Sequence, residues 1–318
     1  MTLNNNEKSI GDELKKIIIE DKDIDNYFSA RDTDEHFKIK SPKTYSGEIL
    51  DYFNQDVNGG IPLPFTKFEG LFRVRPHEVS IISGYSGHGK SAWLNYVILK
   101  MLAEHKCLIG SFEMQPRATL GRMLQQDSGT QMPTQLGIDT FLDKINDNLF
   151  LYDAEGETSP NKVLAVIQYA KEKLGVEVFV IDSLTKVGIN SDDYNKQKQF
   201  LNKLCVCARD IGVHIFLVAH SRKSMNELGQ PNKHDVMGSS DITNLADNCI
   251  TVFRNKQKEK DMTEEGADTV EISKQYDCFV QVVKQRHGTG WEGSVGLYFD
   301  NKSFRYGERR FGNQANIR

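Results

Sequence analysis

The five cysteines, Cys107, Cys205, Cys207, Cys249 and Cys278, form no C-x-x-C pair, and most of them sit inside apolar runs. That argues against a zinc ribbon and suits reduced, buried thiols in a reducing compartment. No stretch approaches 18 uninterrupted apolar residues, and Met1 to Glu20 lacks the apolar segment of a signal peptide. A soluble, cytoplasmic protein with no membrane partner is therefore expected. A broad basic face is missing too. The net charge is −4 over 318 residues, and residues 1–60, with 8 Lys+Arg against 13 Asp+Glu, carry −5 of it. The near-neutral remainder does not suit a passive nucleic-acid binder, so any grip on nucleic acid must come from a few placed charges. Nor is there an internal repeat or low-complexity run. The length allows one large α/β domain with a flanking segment, or two small domains.

What the chain does have is Gly84-Tyr85-Ser86-Gly87-His88-Gly89-Lys90-Ser91, which fits the phosphate-loop pattern G-x-x-x-x-G-K-[ST] at every fixed position. The context agrees: Glu78 to Ser83 reads as a buried strand and Ser91 to Leu102 as a helix. A strand, a glycine loop and a helix N-terminus make an anion cradle. The loop residues Gly84, Ser86, Gly87, His88 and Gly89 are expected to wrap the phosphates of ATP or another nucleoside triphosphate. Lys90 is expected to reach the β- and γ-phosphates and the Ser91 hydroxyl to ligate Mg²⁺.

From Phe65 onward strands and helices alternate, which predicts a mostly parallel sheet covered by helices. Strands are expected at residues 107–112, 149–152, 178–182 and 213–218, and shorter ones at 249–254, 278–284 and 293–299. Helices are expected at 117–126, 159–174 and 196–210. Lys256 to Gly266 reads as a solvated charged loop. Upstream, Ile10, Leu14, Ile17 and Ile18 are spaced for a short amphipathic helix, which either folds back on its own core or docks on a neighbour. Residues 30–44 read as a linker, and Ser46 as the cap of a helix over Gly47 to Phe53. Gly59-Gly60-Ile61-Pro62-Leu63-Pro64 opens the main domain. The expected division is an extension at 1–58 and a motor domain at 59–318.

In open α/β sheets ligands gather at the carboxyl ends of strands, where this chain places polar singletons. Asp182 closes four apolar residues as a magnesium-holding carboxylate would. Glu113 is either a carboxylate that polarises the attacking water or an ordinary exposed acid at a strand end. His220 is either a γ-phosphate sensor or a structural histidine. Lys284 and Arg286 alternate on one strand, so they share a side. They suit charge stabilisation of phosphoryl transfer, or are plain surface cations. Tyr298 and Phe299 are candidates for stacking on the base.

These elements together resemble the RecA-like motor domain of the DnaB family of replicative hexameric helicases, over about Gly59 to Tyr306. The resemblance is carried by Gly60-Ile61-Pro62, the phosphate loop, Ser111-Phe112-Glu113-Met114, Ile181-Asp182, Ala219-His220, the segment Asp235 to Arg254, and Lys284-Gln285-Arg286. It implies a RecA-like α/β fold, Glu113 as catalytic base, Asp182 on Mg²⁺ and His220 as γ-phosphate sensor. It also implies that Lys284 and Arg286 are donated to the ATP of an adjacent subunit. Residues 235–247 look like the family's DNA-contacting loop and following helix. Met237 stands where the family usually has Arg, leaving the backbone of Gly238 and Ser239, with Arg222, Lys223 and Lys233, to hold DNA phosphates. The upstream residues hold neither the family's helical N-terminal domain nor a zinc-binding primase. Residues 7–28 or 46–53 look instead like its linker helix, which packs on the neighbouring subunit.

The implied function is an ATP-dependent helicase that forms a hexamer or heptamer. It would move 5′ to 3′ along single-stranded DNA, without primase activity, and rely on a separate primase, loader or polymerase. Two alternatives stay open: a RecA-fold DNA-dependent ATPase of recombination, and a nucleotide-gated replication adaptor that does not translocate.

Overall fold

A computed structural model describes residues 41–55, 59–153, 158–184, 187–189, 193–220 and 240–311. The expected helix over residues 7–28 and the segment holding Arg222, Lys223, Lys233, Gly238 and Ser239 lie outside the described residues. Helix α1 (Ser46–Gln55) comes first, and Ser46 is its opening residue, entered from a 3₁₀ turn at Pro42–Tyr45. A two-stranded antiparallel ribbon, β1 (Ile61–Pro62) with β2 (Arg73–Val74), leads into the main sheet.

That sheet begins with β3 (Val79–Ser83), α2 (Lys90–Met101), β4 (Cys107–Ser111), α3 (Pro116–Ser128), α4 (Gln135–Ile145) and β5 (Leu149–Tyr152). It continues through α5 (Pro160–Tyr169), β6 (Val178–Asp182), α6 (Tyr194–Ile211), β7 (His214–Val218), α7 (Ser240–Leu245) and β8 (Asn248–Arg254). After α8 (Lys256–Asp261) and α9 (Thr269–Ile272), it closes with β9 (Cys278–Gln285), β10 (Gly293–Asp300) and β11 (Arg305–Gly307). The spatial order is β11-β10-β9-β8-β3-β7-β6-β4-β5. Every pair from β5 to β8 is parallel, and the last three strands add on antiparallel.

The central strands are continuous apolar runs because both faces are covered. Side chains alternate between two cores. Ile82, Val180, Phe216 and Val218 join Trp93, Ile98 and Met123 under α2 and α3. Val79, Ile81, Phe179, Ile181, Ile215 and Leu217 join Leu164, Phe200 and Leu204 under α5 and α6. The five cysteines are unbridged and buried in this packing, and burial pushes the Cys107 thiol up to about 12.

Two stretches differ from the sequence reading. Helix α4 was not anticipated: Thr134 caps it by accepting from the Gly137 N–H at 3.2 Å, and Phe141 and Ile145 turn into the core. The charged run after β8 is partly helix, and its Lys258 is buried rather than solvated. Lys258 Nζ donates to Asp277 Oδ1 and to the Gln275 carbonyl, each at 2.6 Å, which satisfies the charge that burial would otherwise penalise.

Candidate active site

The parallel order stacks the carboxyl ends of β3, β4, β6 and β7 side by side, so residues far apart in sequence meet above one edge of the sheet. A cleft of about 580 Å³ opens there. The loop from Gly84 to Ser91 forms its floor and demands glycine at two points. Gly84 has φ +147° and a Cβ there would lie 2.3 Å from the Val252 carbonyl oxygen. Gly89, the residue before α2, has φ +86°, and its Cβ would approach Tyr306 Oη to 2.9 Å. Ser86, Gly87, His88, Gly89, Lys90 and Ser91 all line the cleft. The His88 ring, however, turns into the core between Tyr85 and Phe253, where Nδ1 accepts from the Arg254 N–H at 3.2 Å. It braces the loop more than it faces a ligand.

Lys90 Nζ donates to the carbonyls of Gly84 at 2.8 Å and Tyr85 at 3.0 Å, and lies 3.5 Å from His220 Nδ1. Burial lowers its pKa, against the raising influence of Asp182 and Glu113. Asp182 ends β6 at 6% exposure, hydrogen-bonded to the Ser91 side chain. Burial raises its pKa, and its Oδ1 finds no hydrogen-bond partner among the described residues. A buried acceptor left open beside a hydroxyl suits a divalent cation. Mg²⁺ takes one or two protein ligands and completes its shell with phosphate oxygens and water. In keeping with that, no group of three or more His, Cys, Asp or Glu that could hold a metal occurs among the described residues.

Glu113, two residues past β4, reaches across to β6 and β7. Its Oε1 accepts from Ser183 Oγ at 2.5 Å and lies 3.0 Å from His220 Nε2. The His220 bond, then the Ser183 bond and the positive charges of His220 and Lys90, outweigh burial and hold the carboxyl down to about 2. Lys90, His220, Glu113 and Ser183 thus form one chain of polar contacts at the mouth of the phosphate loop. Ser183 had no sequence signal, because a serine after a strand is too common to single out.

The far wall of the cleft is built by Arg122 on α3, Arg254 and Glu259, and by Phe299, Phe304 and Tyr306 from the antiparallel strands and their turn. Phe299 lines the cleft as a base-stacking residue should. Tyr298 does not: its hydroxyl donates to the Lys274 carbonyl at 2.8 Å and its ring packs 5.0 Å from Tyr276. Successive strand residues face opposite sides, so only one of the pair could reach the cleft.

Lys284 and Arg286 sit at the opposite edge of the sheet. Strand β9 runs antiparallel to β8, and Gln285 pairs with Asn248, itself opposite Ser80 near the start of β3. The five residues of β3 separate that edge from the phosphate loop by roughly 16 Å at about 3.3 Å per residue. The two cations do share a side, since both donate to the Asn244 carbonyl. Lys284 Nζ also donates to the carbonyls of Thr243 and Ala246, at 2.8 and 2.6 Å, closing the end of α7.

Near Arg286, Glu78 is 3% exposed and accepts from Asn248 Nδ2 at 2.8 Å. Burial raises its pKa to about 7, against the Asn248 bond and the Arg75 charge. The folded chain therefore keeps a proton that the unfolded chain releases near 4.5. Stability falls as pH rises from about 4.5 to 7, and the full penalty is present above that. At ~1.4 kcal/mol per pH unit the penalty is roughly 3 kcal/mol as an upper bound. Glu78→Gln is expected to raise the melting temperature at pH 8 and to change it little near pH 4.5, as thermal melts at both values would read.

The sequence profile of the DnaB-like helicase C terminal domain matches residues 60–308. The chain is 23% identical over 238 residues to a Twinkle homolog protein, chloroplastic/mitochondrial, of Arabidopsis thaliana, covering 68% of this chain and 34% of that protein. It is 25% identical over 205 residues to a DNA helicase/primase of Enterobacteria phage T3, covering 58% and 36%. The chain thus spans about a third of the length of the curated relatives it matches. A solved DnaB-like replicative helicase, studied for its interactions with primase, superposes with TM-score 0.67 at 17% identity, over 85% of this chain and 68% of that one. A second solved structure, an ATPase domain, gives 0.68 at 16% identity, over 87% and 100%. These likenesses agree with the mostly parallel, helix-covered sheet and establish its fold as that of helicase ATPase domains. No described helix is long and apolar enough to cross a membrane. The match over 60–308, most of the chain, places this protein in the family of DnaB-like helicase C-terminal domains.

Proposed function

We propose that this chain is an ATP-hydrolysing motor that unwinds DNA, built as a ring in which each nucleotide site is completed by the adjacent subunit. The observation that carries the reading is the split of the hydrolytic set. Lys90, Ser91, Asp182, Glu113 and His220 surround one cleft, whereas Lys284 and Arg286 lie at the other edge of the same sheet. A subunit cannot bend those cations onto its own phosphates across the whole sheet, but a neighbour packed against that edge would receive them.

In this reading ATP phosphates displace the loop carbonyls from Lys90, whose ammonium then balances the phosphate charge. Ser91 and Asp182 hold Mg²⁺, which supplies charge neutralisation at the phosphates. Glu113 orients and polarises the attacking water, and His220, between Lys90 and Glu113, reports whether a γ-phosphate is present. Arg286 and Lys284 of the neighbour stabilise charge as the phosphoryl group departs. Single-stranded DNA runs through the ring, held by Arg222, Lys223, Lys233 and the backbone of Gly238 and Ser239, with 5′ to 3′ movement. Six weak sites in one channel give sufficient grip.

Residues 59–318 are the motor and 1–58 an extension. Helix α1 supports an assembly role, since it leaves Ile49, Leu50 and Phe53 at 49, 62 and 73% exposure, an apolar face that a neighbouring subunit would cover. Primase, loader or polymerase functions come from separate partners in the cytoplasm. A nucleotide-gated adaptor has no use for a complete hydrolytic cluster.

The test is steady-state ATPase with and without single-stranded DNA across protein concentration. Turnover per subunit is expected to rise steeply with concentration and with DNA. Leu50→Asp together with Phe53→Asp is expected to shift the rise to higher concentration. A flat, DNA-independent rate would overturn the shared-site motor.

A further inference from the structure

At the edge of the sheet away from the cleft, one carboxylate joins two parts that the proposed function keeps apart. Asp247, between α7 and β8, is 8% exposed. Its Oδ2 accepts from the N–H of Val79, the first residue of β3, at 2.9 Å, and its own N–H donates to the Val79 carbonyl at 3.0 Å. Its Oδ1 accepts from Arg286 Nη1 at 3.0 Å, and its backbone carbonyl accepts from the Arg286 N–H at 2.9 Å. Arg286 is therefore fixed at both its backbone and its guanidinium to one residue, which is itself fixed to one strand.

The division of labour at Asp247 is specific. One carboxylate oxygen serves the guanidinium and the other serves the backbone of β3, so a movement of β3 is carried to Arg286. The guanidinium is rigid and planar with five N–H donors. Its bonds to Asp247 and to the Asn244 carbonyl, at 2.6 Å, set its plane and leave donors over for a ligand. The Arg286 side chain is 41% exposed while that of Asp247 is 11% exposed, so the cation is open to a neighbour and its anchor is not.

We propose that Asp247 is a positioning residue that sets the reach of Arg286 toward the nucleotide of the neighbouring subunit. Through Val79 it ties that cation to β3, whose other end carries the subunit's own phosphate loop. Loading of one site is thereby linked to the geometry offered to the next. The inference rests on the trans reading of Arg286 given above.

Asp247→Asn tests it, because the amide keeps an oxygen for the Val79 N–H while removing the charge that holds the guanidinium. The expected result is a fall in kcat of about 10–100-fold, the loss that a misplacement of about 1 Å produces, with KM for ATP and assembly unchanged. Mixing variants separates positioning from mere structural support. Lys90→Ala subunits cannot use their own site yet still offer a correctly held Arg286, and Asp247→Asn subunits keep an intact phosphate loop. Combined in one ring, they are expected to turn over ATP faster than either preparation alone. A carboxylate that only supports its own subunit would give no recovery, which overturns the proposal. The control mixture of Arg286→Ala with Lys90→Ala tests the trans reading itself. Recovery there but not with Asp247→Asn removes Asp247 alone, and no recovery in either removes both. Should Asp247→Asn fail to assemble, Asp247→Ser, which also keeps an oxygen for Val79, takes its place in the same mixtures.

Discussion

Arg286→Ala is expected to leave ATP affinity within about twofold of the unaltered protein and to lower turnover by about 10³–10⁵-fold, the range that a trans arginine contributes to phosphoryl transfer. Binding survives because nothing in the cleft depends on Arg286: Lys90, Ser91 and Asp182 are positioned by β3, α2 and β6, and the aromatic wall by β10 and β11. Turnover fails because no other group carries the same planar fork to the neighbour. Arg286→Lys is expected to recover little of the loss, since an ammonium cannot keep the paired contacts to Asp247 and the Asn244 carbonyl while also reaching outward. A fluorescent ATP analogue for binding, with steady-state turnover in the same samples, reads both halves of the expectation. Lost binding with a preserved rate would mean that Arg286 serves its own subunit's nucleotide, and the two-edge division would have to be abandoned.

The strand ends were the legible part of this site, and the reason is physical. A parallel sheet buried on both faces spells each strand as an apolar run, so the first polar residue after the run marks the carboxyl edge. Asp182, Glu113 and His220 were found that way, and the phosphate loop by its glycines. Sequence spacing does not say which strands are neighbours. Ser183 stayed invisible because its value lies in facing Glu113, a residue 70 positions earlier. Lys258 was misread because its charge looks solvated until Asp277 and the Gln275 carbonyl are brought beside it. Helix α4 was missed because Gly137 and Thr140 interrupt its helical signal, although Thr134 offered a cap three residues before Gly137. Asp247 shows the same limit at the opposite edge. Its sequence neighbourhood pointed toward DNA, while its hydrogen bonds run to Val79 and Arg286.

Glu113→Gln is expected to cut kcat by about 10²–10⁴-fold with ATP binding retained, the usual cost of removing a positioned general base. The amide oxygen can still accept from Ser183, so the local fold is preserved while the negative charge is lost. The low pKa adds a second expectation. A carboxylate held near 2 is ionised throughout the neutral range but is a weak proton acceptor, and the largest cause of that is the His220 bond. Phosphate entry that draws His220 and Lys90 onto γ-phosphate oxygens removes both of their influences and leaves Glu113 a stronger base when the water is in place. The stability contribution has the opposite sign to that of Glu78. Because the folded pKa lies below the ordinary 4.5, Glu113 stabilises the fold above that value, and the contribution is lost as pH falls toward 2. Thermal melts of Glu113→Gln and the unaltered protein are therefore expected to differ most near neutral pH and to converge in acid. A variant that melts identically at pH 7 yet loses its rate would place the whole effect in the reaction. One that loses both nucleotide affinity and stability would show Glu113 to be a structural brace between β4 and β6, with the water held by another group.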